Sequence, residues 1–153
     1  MDLNIETFKT QIDTLIGPLT LTASASGLQS IEFKKTKKRD QNKFLSDASE
    51  ELGLYFKGKL KKFSVSLDIN GTEFQKKSWK CLVKIPYGKT ISYKDQAIKL
   101  GGTNYARAVA GANNKNKLPI IIPCHRVIGS NGSLVGYAGG LKVKKLLIDL
   151  ENR

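Results

Sequence analysis

One histidine occurs in the 153-residue chain, and it directly follows one of the two cysteines, as Cys124-His125. A thiolate, not a thiol, is the working nucleophile of cysteine chemistry, and a neighbouring imidazole can take the proton or favour the anion. The apolar run Leu118–Ile122, bracketed by Pro119 and Pro123, is too short for a helix and reads as buried extended chain that delivers Cys124-His125-Arg126 at its end. Alternate side chains of an extended segment point apart, so the two residues would couple through a bridging water. On these two residues alone, an inert buried thiol beside a satisfied imidazole is the competing reading. The second cysteine, Cys81, falls on a predicted helix face and reads as a small buried hydrophobe. Two cysteines and one histidine cannot assemble a structural zinc site, so no metal, no disulfide framework and no cofactor are expected.

The elements that must position these residues follow from patterning. Residues 3–33 alternate apolar and polar (Leu19, Leu21, Ala23; Leu28, Ile31, Phe33), with Gly17-Pro18 and Ser26-Gly27 as turns, which predicts short antiparallel strands. Lys34–Lys43 reads as an exposed loop. Phe44, Ala48, Leu52, Tyr55 and Phe56 repeat at helical spacing up to a C-capping Gly58. Phe63, Val65, Leu67 and Ile69 alternate as a strand, and Asn70-Gly71 sets a domain boundary that gives 1–69 and 70–153.

Beyond the boundary, Thr72 to Gln75 has the form of a capping box, and Phe74, Ser78, Cys81, Leu82 and Ile85 form one face of a helix stopped by Pro86 and Gly88. A second helix starts at Ser92, with Asp95 completing the box, and ends before Gly101-Gly102. A third, capped by Thr103, runs to about Asn113. Two short helices joined by a glycine-containing turn follow the helix-turn-helix plan, whose second helix addresses a DNA groove. After a Gly129–Gly132 turn and a glycine-rich segment, a final helix packs Val143, Leu146, Leu147 and Leu150 on one face.

Composition narrows the function classes. A hydrophobic content of 40% and a charged content of 25% describe a domain-sized globular chain and exclude disorder as its main state. The start MDLNIETFKT lacks the features of a signal peptide, and no run approaches the ~20 apolar residues that span a bilayer, so a cytoplasmic, monomeric, membrane-independent protein is expected. The formal charge of +13 favours a polyanionic partner, and residues 70–153 hold 15 basic side chains against four acidic ones. Only Arg39, Arg107, Arg126 and Arg153 are arginines; the rest of the basic set is lysine, suited to delocalised phosphate attraction.

The flanks of Cys124 go further. Pro119-Ile120-Ile121-Ile122-Pro123-Cys124-His125-Arg126-Val127-Ile128 closely resembles the active-site signature of the O6-alkylguanine-DNA alkyltransferases, also called methylated-DNA–protein-cysteine methyltransferases. Tyr87–Tyr93 and Ala106–Ala112 resemble that family's helix-turn-helix segments, Asn116 holds its asparagine, Gly136–Leu141 its glycine-rich substrate loop, and Glu151 its acidic partner. The resemblance spans roughly residues 72–151. It implies an α+β fold: a small N-terminal antiparallel sheet plus helix, ribonuclease H-like, then a mainly helical C-terminal domain with the helix-turn-helix and the cysteine.

It also implies a single-turnover methyltransferase that flips O6-alkylguanine out of duplex DNA and takes the alkyl group irreversibly onto Cys124. O4-alkylthymine stands as a second candidate substrate. His125 would be the water-mediated base oriented by Glu151, Asn116 a brace, and Tyr93 a donor to the base ring nitrogen. Arg107 would fill the stack, with Tyr93, Lys94, Ala106 and Ala110 also facing DNA. The carbonyls of Cys124 and Val127 and the Tyr137-Ala138 loop would hold the guanine, with Ala138 replacing the serine of many relatives. A non-catalytic helix-turn-helix or lesion-flagging protein, and a cysteine hydrolase, are the alternatives.

Overall fold

The computed structural model describes residues 6–153, and the chain divides into two compact units, Met1–Ile69 and Asn70–Arg153. Residues 3–5, where the predicted alternation begins, lie outside the described residues. In the first unit β1 (Phe8–Thr14), β2 (Gly17–Ala23) and β3 (Leu28–Glu32) form an antiparallel sheet in that order. Leu19 and Leu21 are buried at the period of two that one strand face requires, whereas Leu28 and Ile31, three apart, are both buried because the register shifts between their partners Ala23 and Leu21. Helix α1 (Lys43–Phe56) packs on β1 and β2. Its N-cap Asn42 accepts from the amides of Phe44 and Leu45, and Gly58, at φ +74, ends it. The buried face is Leu45, Ala48, Leu52 and Tyr55; the last three are as predicted, while Phe44 and Phe56 stay half-buried and Leu45 is buried in place of Phe44.

The strand expected at 63–69 does not form. Leu67 makes a single parallel bridge with Leu28. The Glu51 carboxylate takes the amide of Ser64 at 2.9 Å and that of Val65 at 3.1 Å, so those donors are withdrawn from any ladder.

The second unit opens with α2 (Glu73–Val83), whose Thr72–Gln75 capping box is complete. Ser78, Trp79 and Leu82 are buried, and the Trp79 indole N–H donates to the Ala112 carbonyl at 2.9 Å. Cys81, expected to be buried, is only half so. Helix α3 (Tyr93–Leu100) begins on the reciprocal Ser92–Asp95 box, and α4 (Ala106–Asn114) follows one 3-10 turn at Thr103–Tyr105. That turn carries no side-chain cap, so Thr103 does not play the expected role; the chain reverses instead on Gly101 at φ +142, where a Cβ would lie 2.7 Å from the Tyr105 ring. Between α3 and α4, Gln96 and Asn113 exchange buried amide hydrogen bonds of 3.2 and 2.9 Å.

Leu118–Ile122 is a turn, not extended chain. The Ile122 amide donates to Leu118 O at 2.9 Å, and Ile120 sits at φ +77, a conformation that costs a β-branched residue about 1–3 kcal/mol. Two interactions offset that strain. Leu118, Ile120 and Ile122 are buried, and the Asn116 side chain spans the turn, donating to Ile122 O at 2.8 Å and accepting from Leu118 N at 2.9 Å. The chain then makes the short β5 (Val127–Ile128), parallel to β4 (Ile91–Ser92), passes the tight turn at Gly129–Gly132, and closes with α5 (Leu141–Glu151). Leu147 and Leu150 are buried as expected, whereas Leu146 is on the exposed side.

The Gln96–Asn113 pair gives the first prediction. Gln96→Leu strands a buried amide and should destabilise the second unit by about 1–3 kcal/mol, while the Gln96→Leu/Asn113→Leu double variant should lose less than the sum of the singles. Urea titrations of the four proteins decide it; additive losses would mean the amides do not support each other.

Candidate active site

Pairing of Ile91 with Val127 and Ser92 with Ile128 sets the N-terminus of α3 beside the segment that follows the cysteine. Cys124, His125 and Arg126 occupy a single 3-10 turn closed by the Val127 amide on the Cys124 carbonyl. Because they ride a tight turn, not a strand, the side chains do not simply alternate.

His125 is fully buried and its Nε2 lies 2.6 Å from Glu151 Oε2. The same carboxylate receives Arg126 Nε at 2.8 Å on Oε1 and Nη2 at 3.1 Å on Oε2, and the Gly88 amide donates to Oε1 at 3.2 Å. A guanidinium is permanently charged and calls for the carboxylate form. An ionised Glu151 can only accept, so Nε2 carries the hydrogen and Nδ1 is left as the bare, basic nitrogen. Nδ1 is buried and meets no hydrogen-bond partner among the described residues. Burial pushes the His125 pKa down against the raising effect of Glu151, and Arg126 and Lys144 push it further down, which favours the neutral ring.

Arg126 is anchored further by the Ile85 carbonyl at 2.7 Å and by the Tyr87 ring, 5.8 Å from its guanidinium carbon. Gly88 stands at φ +81, and a Cβ there would meet the Glu151 carbonyl at 3.1 Å, so this turn can approach the helix end only as glycine.

Burial raises the pKa of the half-buried Cys124 thiol, and a hydrogen bond from Asn116 and the charge of Lys144 pull it back down. Tyr93, the first residue of α3, donates its hydroxyl to Val135 O at 3.2 Å; its pKa is raised by burial and then by Cys124. The Tyr137 pKa is pushed well up by burial, then by Cys124 and Glu151. Ala138 lies exposed in the turn closed by the Gly140 amide on Tyr137 O. Val127 is buried, and its carbonyl accepts from Lys144 Nζ at 2.6 Å.

The expected site residues therefore fall into two groups. Cys124, His125, Glu151, Asn116, Tyr93, Val127 and Tyr137 are linked by these contacts and shared electrostatics. Arg107 and Lys94 are exposed, and Ala106 and Ala110 half-buried, on the first turns and flanks of α3 and α4. Arg107 has no hydrogen bond or ion pair among the described residues.

Two side chains at the centre went unread in the sequence. Lys144 is 0% exposed, and Arg126 serves Glu151 as fully as His125 does. A signal for Lys144 existed: it precedes Leu147 by three residues and Glu151 by seven, which sets a lysine on the apolar face of a helix. Among the described residues no group of three His, Cys, Asp or Glu side chains converges as a metal site would require.

The family model for the DNA binding domain of 6-O-methylguanine DNA methyltransferase matches residues 73–153, and the model for its ribonuclease-like domain matches residues 7–69. The methylated-DNA–protein-cysteine methyltransferase of Methanosarcina barkeri is 47% identical over 148 residues, covering 92% of this chain and 94% of its own. The crystal structure of Mycobacterium tuberculosis OGT in complex with DNA superposes with a TM-score of 0.86 at 43% identity, covering 94% of this chain and 92% of that one. An O6-methylguanine DNA methyltransferase from Methanococcus jannaschii gives 0.64 at 30% identity over 99% of this chain and 92% of its own. Two domain models matched in chain order, with whole-length relatives on both, make this chain a member of the 6-O-methylguanine DNA methyltransferase family.

Proposed function

We propose that the chain repairs alkylated duplex DNA by moving the alkyl group from O6 of guanine onto Cys124, once per molecule. It would act as a monomer in the cytoplasm, with residues 70–153 holding both the DNA-binding surface and the acceptor thiol. The observation that carries this reading is the bare Nδ1 of His125, held basic by a carboxylate on Nε2 one residue from a thiol. The thiol proton passes through a water to Nδ1. Sγ then attacks the alkyl carbon, the carbon–O6 bond breaks, and its electron pair stays with guanine. The Tyr93 hydroxyl supplies a proton or hydrogen bond to the ring nitrogen where that charge accumulates.

To do so Tyr93 must leave Val135 O, a carbonyl that Lys144 Nζ also holds at 2.8 Å, so the exchange leaves no orphaned acceptor. The Cys124 carbonyl accepts from the Val127 amide and the Val127 carbonyl from Lys144 Nζ, and both carbonyls would also meet the guanine amino group. Tyr137 and the exposed Ala138 turn would close on the ring, and Asn116 would fix the turn that presents the thiol.

A base stacked in a duplex cannot reach this thiol, so it must be flipped, at a cost of a few kcal/mol. Arg107, exposed and unpaired on the first turn of α4, is the side chain available to fill the gap, while Lys94 and the helix flanks at Ala106 and Ala110 meet the backbone. Lysine-rich phosphate attraction supplies the search for damage.

The reading stands or falls on Cys124. Incubation with duplex containing O6-methylguanine should add one methyl to the Cys124 peptide and stop at one equivalent. Cys124→Ala should bind the duplex and transfer nothing, because no other side chain is placed to hold the alkyl group. Turnover beyond one equivalent, or methyl on another residue, would falsify it; binding without transfer by the wild type would favour a lesion-flagging protein.

Arg107 gives a separate outcome. Arg107→Ala should bind undamaged duplex nearly normally, repair a lesion in duplex about tenfold or more slowly, and react with free O6-benzylguanine at the wild-type rate, since a free base needs no flipping. Weakened binding of all duplexes with a salt slope reduced by about one would instead make it a phosphate contact.

A further inference from the structure

One face of α4 runs from the exposed arginine to the loop at Gly136. Arg107, Gly111 and Asn114 stand at i, i+4 and i+7 and are all exposed, so they form one stripe about 10 Å long on the rise of a helix. A Cβ at Gly111 would meet nothing within 4 Å, so no packing inside the fold calls for glycine there. A glycine inside a helix weakens it, and its use is the close approach of another backbone, here from outside. At the far end of the stripe, a Cβ on Gly136, at φ +58, would lie 3.6 Å from the Tyr93 hydroxyl and 3.9 Å from Asn114 Oδ1. The Asn114 amide is thus set beside Tyr93 across a single glycine. Its side chain makes no hydrogen bond among the described residues.

The structure of guanine decides what lies at that corner. When the bond from O6 to the alkyl carbon breaks, the charge left behind spreads to both nitrogens of the six-membered ring. N1 stands between O6 and the amino group, the edge that the thiol and the Cys124 and Val127 carbonyls take. N3 is left for Tyr93, and N3 is the ring nitrogen next to the glycosidic bond. A side chain beside Tyr93 on the α4 stripe therefore faces the sugar and its phosphates, not the ring. We propose that Asn114 is a specificity-determining residue that recognises the flipped lesion as a nucleotide, its amide N–H donating to a phosphate oxygen of the target nucleotide. The inference rests on the alkyl-transfer reading of the site and adds a contact that neither the base pocket nor Arg107 supplies. A neutral amide suits this place, because it donates to a phosphate without setting a permanent charge beside the Tyr93 hydroxyl.

The test compares three small substrates that need no flipping: free O6-benzylguanine, its 2′-deoxynucleoside and the 3′,5′-bisphosphate of that nucleoside. Mass spectrometry of the Cys124 peptide gives the single-turnover rate for each. The wild type should take the benzyl group from the bisphosphate about tenfold or more faster than from the deoxynucleoside. Asn114→Ala should cut that ratio about fivefold or more, and Asn114→Asp further still, because a carboxylate repels the phosphate. Both variants keep every hydrogen bond of the fold, since the side chain they alter is exposed and makes none. An Asn114→Ala ratio that matches the wild type overturns the proposal, as does a wild type that does not distinguish the bisphosphate from the deoxynucleoside. If the wild type takes no alkyl group from any of the three or from damaged duplex, it is the transfer reading that fails. The phosphate contact is then read on Cys124→Ala by NMR: the Asn114 side-chain amide resonances should shift on titration with the bisphosphate and stay in place with the deoxynucleoside. Equal shifts, or none, overturn the proposal.

Discussion

The site is organised around the Glu151 carboxylate. It takes one hydrogen bond from the only histidine, two from Arg126 and one from the Gly88 amide, with a side chain 2% exposed. Removing one partner of a buried ion pair costs about 3–5 kcal/mol because it strands the other charge. Here the stranded charge would be Arg126, which also fastens the end of α2 through the Ile85 carbonyl. The Tyr87-Gly88 turn, the reactive turn and the last turn of α5 thus meet on one carboxylate, and Arg126 ties the α2 exit to them. The interaction that orients the base is also the one that closes the unit. Being at the last residue of α5 does not make Glu151 loose, because the geometry that uses it ties it down.

From that hub the rest of the site takes its signs. Glu151 fixes the tautomer of His125, and Arg126 uses up the negative charge that would otherwise make the ring an imidazolium. The α3 helix enters the same space because β4 and β5 pair for two residues just before Tyr93. The α4 helix is fixed to α3 by Gln96 and Asn113 and to α2 by the Trp79 indole. A helix-turn-helix surface and a reactive cysteine are therefore parts of one packed body, in which the groups proposed to hold DNA open and the group that reacts sit on a common frame.

Much of this was legible in the residues. The capping boxes at Thr72 and Ser92 mark the starts of α2 and α3 because their chemistry is local, three residues long and reciprocal. The β2 strand of the first unit follows from an alternation of period two at Leu19, Leu21 and Ala23, while β3 departs from it at a register shift. What sequence patterning missed was decided by distant partners. The amides of Ser64 and Val65 go to Glu51 on α1, so an alternating segment fails to become a strand. The β-branched run Ile120-Ile121-Ile122 is folded into a turn by Asn116, a constraint no propensity encodes. Arg126 reads as one more positive charge in a basic chain, and its burial appears only once α5 and the reactive turn are packed.

The central claim is that Glu151 holds His125 neutral, with its hydrogen on Nε2 and Nδ1 bare. Because the chain has one histidine, a long-range proton–nitrogen correlation spectrum of uniformly nitrogen-15-labelled protein at pH 7 contains one imidazole. The account predicts a protonated, pyrrole-like Nε2 and an unprotonated, pyridine-like Nδ1, with Glu151→Gln changing that tautomer balance. A hydrogen on Nδ1, or an imidazolium at that pH, would contradict it.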